Sequence, residues 1–310
     1  MNVIVEREKG LVELEARVNT LRERGVTSDE VLALEARVEE LRRDLFGNLS
    51  PWERVNMARH PKRPIASDYL AALDAFDELH GDRHFRDDPA LVGGFAKLRG
   101  RRVVVLAQQK GRDTKENIRR NFGMVSPEGY RKAHRLMDLA SRLRLPIVSF
   151  VDTSGADPGI GSEERSQSEA IAGCLTALTK ADVPVVSAIV GEGGSGGALA
   201  IALADYVIMA ENAVYSVASP EGCAAILWGD AARAPEAADH LKLTSPDLLG
   251  FGIVDEIVTE PLGGAHRDPA GFVGRVLDAV ASALERLAGF SPEQLRETRY
   301  RKYRRVGSIV

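Results

Sequence analysis

Two stretches of this chain repeat one layout at a fixed offset. Leu145 to Val151 reads as a buried strand, followed by a loop from Asp152 to Gly159 and a helix over roughly Glu163 to Lys180. Val183 to Val190 reads as a second strand, followed by a loop from Gly191 to Gly197 and a helix from Gly196 to about Ala204. Pro146 and Pro184, Ser149 and Ser187, and Gly155 and Gly193 are each 38 residues apart. That spacing suits neighbouring parallel strands joined by right-handed helical crossovers, so the fold class is α/β.

The rest of the chain divides around this pair. Leu11, Leu14, Val18 and Leu21 recur at helical spacing, as do Leu34, Val38, Leu41 and Leu45, and Gly25 to Glu30 separates them with Thr27 or Ser28 to cap the second helix. Residues 1–46 are therefore an N-terminal helical hairpin, whose narrow apolar seam must pack on its own domain or on a partner. Pro51 to Pro64 reads as turns, Asp68 to Leu79 as a short helix, and Leu91 to Leu98 with Arg102 to Gln108 as two strands about a Gly100 turn. Ser126 should cap a helix opened by Pro127. Tyr206 to Met209, Val214 to Val217 and Gly252 to Val258 read as strands, Pro220 to Trp228 and Pro269 to Leu287 as helices. A main domain over 47–290 and a basic tail over 291–310 complete the organisation. The tail interleaves Tyr300 and Tyr303 with Arg296, Arg299, Arg301, Lys302, Arg304 and Arg305, and reads as a solvated or docked end before it reads as a nucleic-acid arm.

Charge and cysteine content narrow the function classes. Forty-one Lys and Arg against 45 Asp and Glu give a net charge of −4, which supplies no bulk field for nucleic acid or an anionic membrane. Cys174 and Cys223 are the two cysteines, too few for a disulfide framework or a four-thiolate zinc site, and no histidine and carboxylate stand at metal-ligand spacing. Glu192 and Asp205 interrupt the most apolar stretch, and Glu6 to Lys9 end the apolar run Val3 to Val5 at once, so neither a membrane span nor a signal peptide is expected. The expectation is a metal-free, cytoplasmic chain.

The run Gly191-Glu-Gly-Gly-Ser-Gly-Gly197 admits several chemistries. Gly191, Gly193 and Gly196 satisfy a dinucleotide-binding spacing, with Glu211 twenty residues on as a ribose partner, although Glu192 would oppose a pyrophosphate. Gly193 to Gly197 also fits a nucleophile elbow around Ser195, with His240 or His266 as base. A third reading uses main-chain N–H groups at a helix start as an anion site, and a fourth makes the glycines simple packing devices. Lys110, Arg112, Lys115, Arg119 and Arg120 could hold phosphates, or form a solvated loop paired with Asp113 and Glu116. Glu163 and Glu164 read as helix-start carboxylates, Cys174 and Cys223 as core, and His266 as a structural loop residue.

Taken together, the ordered motifs resemble one family. Gly191 to Ile201, Tyr215-Ser-Val, Ser219 to Cys223, Ile226-Leu-Trp, Pro261 to Arg267, Lys110-Gly-Arg, Asn121 to Met124, Pro127 to Lys132, Phe76 to Leu79, Gly81-Asp-Arg and Glu163-Glu-Arg are similar to the carboxyltransferase alpha subunits of bacterial acetyl-coenzyme A carboxylase. The resemblance covers nearly the whole chain. Where the family usually shows Asp-Thr-Pro-Gly-Ala-Tyr-Pro-Gly, this chain has Ser154 and Asp157 in place of the Pro and Tyr.

The resemblance implies a crotonase-type spiral of ββα units and transfer of a carboxyl group from carboxybiotin, on a biotin carrier protein, to acetyl-CoA, giving malonyl-CoA for fatty acid biosynthesis. It implies a beta-subunit partner carrying a zinc ribbon in an α2β2 assembly, and a biotin carboxylase in the full complex. No metal is implied in this chain. It maps a biotin-facing pair of main-chain donors onto Gly196 and Gly197. Gly193, Gly194, Ser195, Gly155 and Ala156 then line the substrate site, with Lys110 and Arg112 as phosphate or carboxylate contacts. The rival enzyme class is a stand-alone crotonase-like acyl-CoA hydratase or decarboxylase, and the non-enzymatic rival is a scaffold or nucleic-acid-binding regulator using the basic tail.

Overall fold

The computed structural model describes residues 2–26 and 28–307. Thr27, one of the two expected caps, and the last three residues of the basic tail lie outside that range. The chain opens with α1 (Val3–Arg7), α2 (Lys9–Glu23) and α3 (Asp29–Phe46); Ser28 stands at the N-cap of α3 without a side-chain hydrogen bond. Ile4, Leu11, Val18, Val38, Phe46 and Leu49 form the hairpin's apolar seam, closed by Met57 of the main body. The hairpin thus docks on its own domain.

The expectation of turns over Pro51 to Pro64 is corrected by a helix, α4 (Pro51–Ala58). Proline at the first helical position starts a helix, because its missing N–H would have no partner there, and Ser50 with Glu53 completes a capping box. Only His60 to Pro64 remains irregular. The helix expected over Asp68 to Leu79 is likewise shorter: α5 (Ala66–Ala71) ends early, and β1 (Ala75–Glu78) pairs antiparallel with β2 (Leu91–Leu98). β3 (Arg101–Gln108) completes a meander, followed by α6 (Thr114–Arg119) and α7 (Pro127–Leu143). Ser126 stands at the N-cap of α7, but its hydroxyl is turned to the Asp88 and Glu128 carboxylates, 2.8 and 2.9 Å away, and accepts no backbone N–H of the helix.

β4 (Ile147–Thr153) then enters the sheet, followed by α8 (Ile160–Glu164) and α9 (Gln167–Lys180). These are two helices where one was expected, because Ser166 turns left-handed between them at φ +66°. β5 (Val185–Gly194) continues through four residues expected to be loop, Gly191 to Gly194, because Glu192 to Gly194 pair with a later strand; α10 (Ser195–Ala202) follows without a break. The chain proceeds through β6 (Tyr206–Ala210), β7 (Val214–Ser216), α11 (Pro220–Trp228), α12 (Ala234–Leu241), α13 (Ser245–Gly250), β8 (Glu256–Val258), α14 (Pro269–Leu287) and α15 (Pro292–Arg305). β8 has three of the seven residues expected of the last strand.

The sheet runs β1-β2-β3-β4-β5-β6-β8, with β7 on the tip of β5. From β3 onward every pairing is parallel, and Ser149 lies beside Ser187 as the repeat requires. Parallel strands need both faces covered, which is why β4 is buried at every residue. The described part of the basic tail is docked as α15 through a few buried residues, while most of its side chains stay exposed. Arg299, 2% exposed, donates to Asp205 and to the carbonyls of Leu178, Ala181 and Val183, stitching α15 across the end of α9.

A buried cluster fastens the hairpin. Glu8 accepts from His60 Nε2 at 2.9 Å, lies 3.5 Å from His266 Nε2, and pairs with Arg267 at 3.1 Å. The fold therefore gathers two histidines and a carboxylate that sequence spacing did not connect, all within 4.8 Å. The imidazoles stack at 3.7 Å, and Lys62 N–H donates to His60 Nδ1, which leaves the proton on Nε2 to face Glu8. Burial would raise the Glu8 carboxyl, but the nearby His266 ring and the hydrogen bond from His60 outweigh it and hold the group well below its usual range. Burial lowers His266. Both groups bind fewer protons when docked, so docking is strongest at high pH and weakens as pH falls below 6.5 for His266 and below 4.5 for Glu8. Hydrogen exchange of the amides over 3–46, corrected for intrinsic rate, should therefore be faster at pH 5.5 than at pH 8, and Glu8→Gln should loosen the hairpin already at pH 8. Equal protection at both pH values would contradict this account.

Candidate active site

The ends of β4 and β5 converge on one patch. Beyond Thr153 the chain turns through Ser154, Gly155 and Ala156, fixed by the Thr153 hydroxyl donating to the Gly155 carbonyl at 2.7 Å and by a bridge from Ala156 to Val125. β5 and the start of α10 run directly against this segment. A Cβ on Gly194 would lie 2.1 Å from the Ser154 carbonyl oxygen, and one on Gly197 would lie 2.4 Å from the Ala156 nitrogen. Glycine is therefore required at both positions by backbone contact. Gly196 is different, since a Cβ there meets nothing nearer than Ile171 at 3.9 Å.

Between them Ser195 takes the left-handed conformation at φ +54°, which turns the strand sharply into the helix. Gly194, at the N-cap, has no side chain to satisfy the first amides of α10. The helix is held from behind: Gln108 Nε2 and Tyr130 Oη donate to the Gly197 carbonyl at 2.8 and 3.1 Å, and Ser149 Oγ donates to the Ile201 carbonyl at 2.6 Å. In front, Ser195, Gly196 and Leu199 border a cavity of about 610 Å³ walled by Tyr215, Val217 and Phe251. Uncapped amides with helix-dipole potential, facing an apolar cavity, can hold an anion.

The structure distributes the other candidates as follows. Gly193, Gly194, Ser195, Gly196, Gly197, Gly155 and Ala156 come together at this patch. Lys110 does not face the cavity. It reaches into the protein, with Nζ 2.7 Å from Asp152 and 2.9 Å from Glu192. Arg112 pairs with Asp68 at the surface. Asp113 caps α6 and Glu116 pairs with Arg120, so this basic stretch spends part of its charge locally. Asp157 caps the turn into α8, accepting from Gly159 N–H and the Ser162 hydroxyl, which keeps its charge in its own loop. Glu163 and Glu164 belong to α8 and do not open α9.

Two of the sequence readings are not assembled. Gly191 lies within β5 and not in a loop, Glu192 is held by Lys110 and Arg59, and the Glu211 carboxylate accepts the Glu260 N–H, so no dinucleotide cradle forms. Ser195 has the strained backbone of an elbow, but His266 is buried at the hairpin and His240 packs edge-on against Trp228; among the described residues no histidine bonds to Ser195. Cys174 is buried as expected, its thiol pushed up to about 12 by burial. Cys223 is half-buried.

Sequence reasoning missed Gln108, Tyr130 and Arg59. Their partners lie 89, 67 and 133 residues away, and no local pattern marks such pairs. The contrast between the two glycines gives a direct test. Gly197→Ala should destabilise the chain by about 1–3 kcal/mol through backbone overlap. Gly196→Ala should cost well under half as much, measured by urea denaturation, and equal losses would mean that the approach of Ala156 is not tight.

Comparison with known proteins agrees with this geometry. The family described as acetyl co-enzyme A carboxylase carboxyltransferase-like matches residues 4–307. The acetyl-coenzyme A carboxylase carboxyl transferase subunit alpha of a Thermus thermophilus strain is 54% identical over 312 residues, covering 99% of this chain and 99% of that protein. Among solved structures, transcarboxylase 12S superposes with a TM-score of 0.58 at 22% identity, over 72% of this chain and 41% of that one. A Pseudomonas malonate decarboxylase hetero-dimer gives 0.57 at 20% identity, over 70% of this chain and 89% of that one. The structural likenesses establish the crotonase-type fold. The family match and the near full-length identity place this chain in the acetyl-coenzyme A carboxylase carboxyl transferase alpha-subunit family.

Proposed function

We propose that this chain supplies the biotin-facing half of a carboxyltransferase site, with the main-chain N–H groups of Gly196 and Gly197 receiving the ureido oxygen of biotin as it loses its carboxyl group. The observation that carries the reading is the uncapped start of α10, anchored from behind through the Gly197 carbonyl and open in front to the cavity. A donor of this kind is worth roughly 2.7–4 kcal/mol when charge develops on the oxygen it faces.

The chemistry then needs little from side chains. Breaking the N–C bond of carboxybiotin leaves negative charge on the ureido group and releases carbon dioxide. The biotin anion takes a proton from the methyl group of acetyl-CoA, and the resulting enolate forms the new C–C bond to carbon dioxide, giving malonyl-CoA. A second donor pair must hold the enolate oxygen. In this reading a beta subunit supplies it, together with a zinc ribbon, within an α2β2 assembly served by a biotin carrier protein and a biotin carboxylase in the cytoplasm. Val217, Ile226 and Leu227, exposed at 79%, 82% and 64%, support a partner surface near the cavity and on α11.

The direct test is carboxyl transfer to acetyl-CoA, or its reversal from malonyl-CoA with free biotin, by this chain alone and after mixing with a beta-type partner. Activity should appear in the mixture only; turnover by the chain alone would favour a stand-alone acyl-CoA enzyme. Gly196→Val, which the open space at Gly196 lets fold, should lower transfer by at least about a hundredfold, the scale of one lost donor. Ser195→Ala should change it little, and a comparable loss there would restore the nucleophile reading.

A further inference from the structure

The glycine run has no side chain of its own for the protein to grip from Gly193 to Gly197 except Ser195, which is exposed. Glu192 is the last anchored side chain before it. One Glu192 oxygen lies 2.9 Å from Lys110 Nζ and the other accepts from Arg59 Nε at 2.6 Å, while Arg59 also pairs with Glu221 at the start of α11. Lys110 Nζ stands 2.7 Å from Asp152 Oδ1, and that same oxygen accepts the Glu192 N–H at 2.9 Å. One ammonium group therefore ties the end of β4 to the end of β5, immediately before each strand delivers its segment to the site.

The far end of the run is gripped from the same place. Gln108, the last residue of β3, holds the Gly197 carbonyl, and Lys110 is two residues further on. The end of β3 thus clamps both the entry to the run, through Glu192, and its exit, through Gly197.

We propose that Lys110 is a positioning residue that sets the place of the Gly196 and Gly197 amides by neutralising and bridging Asp152 and Glu192, and that it does not touch substrate. The proposal rests on the reading of those amides as the anion site. Burial would raise the Glu192 carboxyl, but the charges of Lys110 and Arg59 hold it at about 2. Removing the ammonium leaves two carboxylates side by side in the interior, where one must take up a proton or move away. The other groups facing the cluster are Arg59 with Glu221, Arg63 with Glu260, and the buried Tyr69 phenol; none of them replaces the lost bridge between the strands.

The test compares Lys110→Met, Lys110→Arg and the double variant Lys110→Met with Glu192→Gln, each assembled with a beta-type partner. Lys110→Met should lower kcat by about a hundredfold, the cost of an ångström-scale displacement, with the KM values for acetyl-CoA and biotin little changed. Its activity relative to the unmodified enzyme should rise at least about fivefold from pH 8 to pH 6, because a proton takes the place of the missing cation. Lys110→Arg and the double variant should each recover most of the loss.

Amide exchange over 193–197 in the chain without substrate should quicken in Lys110→Met and recover in the double variant. That readout needs no catalytic assumption, so it separates failure of the positioning role from failure of the anion-site reading, which Gly196→Val tests alone. Should Lys110→Met not fold, recovery of folding and of slow exchange in the double variant would carry the same point. A loss confined to KM, an activity ratio independent of pH, or unchanged exchange would overturn the proposal and return Lys110 to a substrate contact.

Discussion

Everything at the site follows from how closely two backbones approach. The ends of β4 and β5 pass at a separation that leaves no room for a Cβ at Gly194 or Gly197. Pairing of the strand cores, Ile147 with Val185 through Val151 with Ile189, brings the ends near each other, and a register shift beyond Val151 sets Thr153 beside Gly193. Beside this contact Ser195 turns left-handed to start α10, and the first amides of that helix are left without a side-chain cap. The anion site proposed here uses main-chain groups, a reading that calls for no constellation of acids, bases and nucleophiles.

Such a backbone needs external support, and much of it is ionic. The irregular segment after α4 lies along β5: Arg59 holds Glu192, and Arg63 donates to the Val190 carbonyl at 2.7 Å while pairing with Glu260. Arg63 and Glu260 are both buried, as are Arg299 and Asp205. Buried pairs of this kind contribute little net stability compared with apolar packing, yet losing one partner is severe because an uncompensated charge stays behind. Their effect is to fix position. The strand bearing the site is held by groups with one acceptable geometry each, while apolar contacts alone would tolerate sliding.

Legibility in the sequence tracked how local each cause was. α14 spans Pro269–Leu287 as read, because its apolar stripe and its proline start are written in neighbouring residues. The parallel pair β4 and β5 was visible as a repeat. β1 was not, since it is an exposed edge strand whose only reason to be extended is its partner β2. Glu192 illustrates the same limit at the site. In sequence it is a carboxylate in a loop read as an anion site, an apparent contradiction; in the fold it anchors the strand through Lys110, 82 residues distant. The glycine pattern marked the junction of β5 and α10, while the side chains that hold it there came from elsewhere in the chain.

The fastening of the hairpin also bears on how the chain is made. Glu8 and Arg267, which meet beneath the hairpin, are separated by 259 residues. At a synthesis rate of about 5–20 residues per second, the hairpin leaves the ribosome on the order of 10–50 s before Arg267 does. During that interval only the hairpin itself and the neighbouring α4, through Met57, can cover the α2 and α3 seam. A narrow seam flanked by charge suits a segment that must wait in solvent, and ion pairs between its own helices, Arg22 with Glu35 and Arg42 with Glu15, can form before the body is complete. The last fastening of the hairpin therefore waits for Arg267, far along the chain.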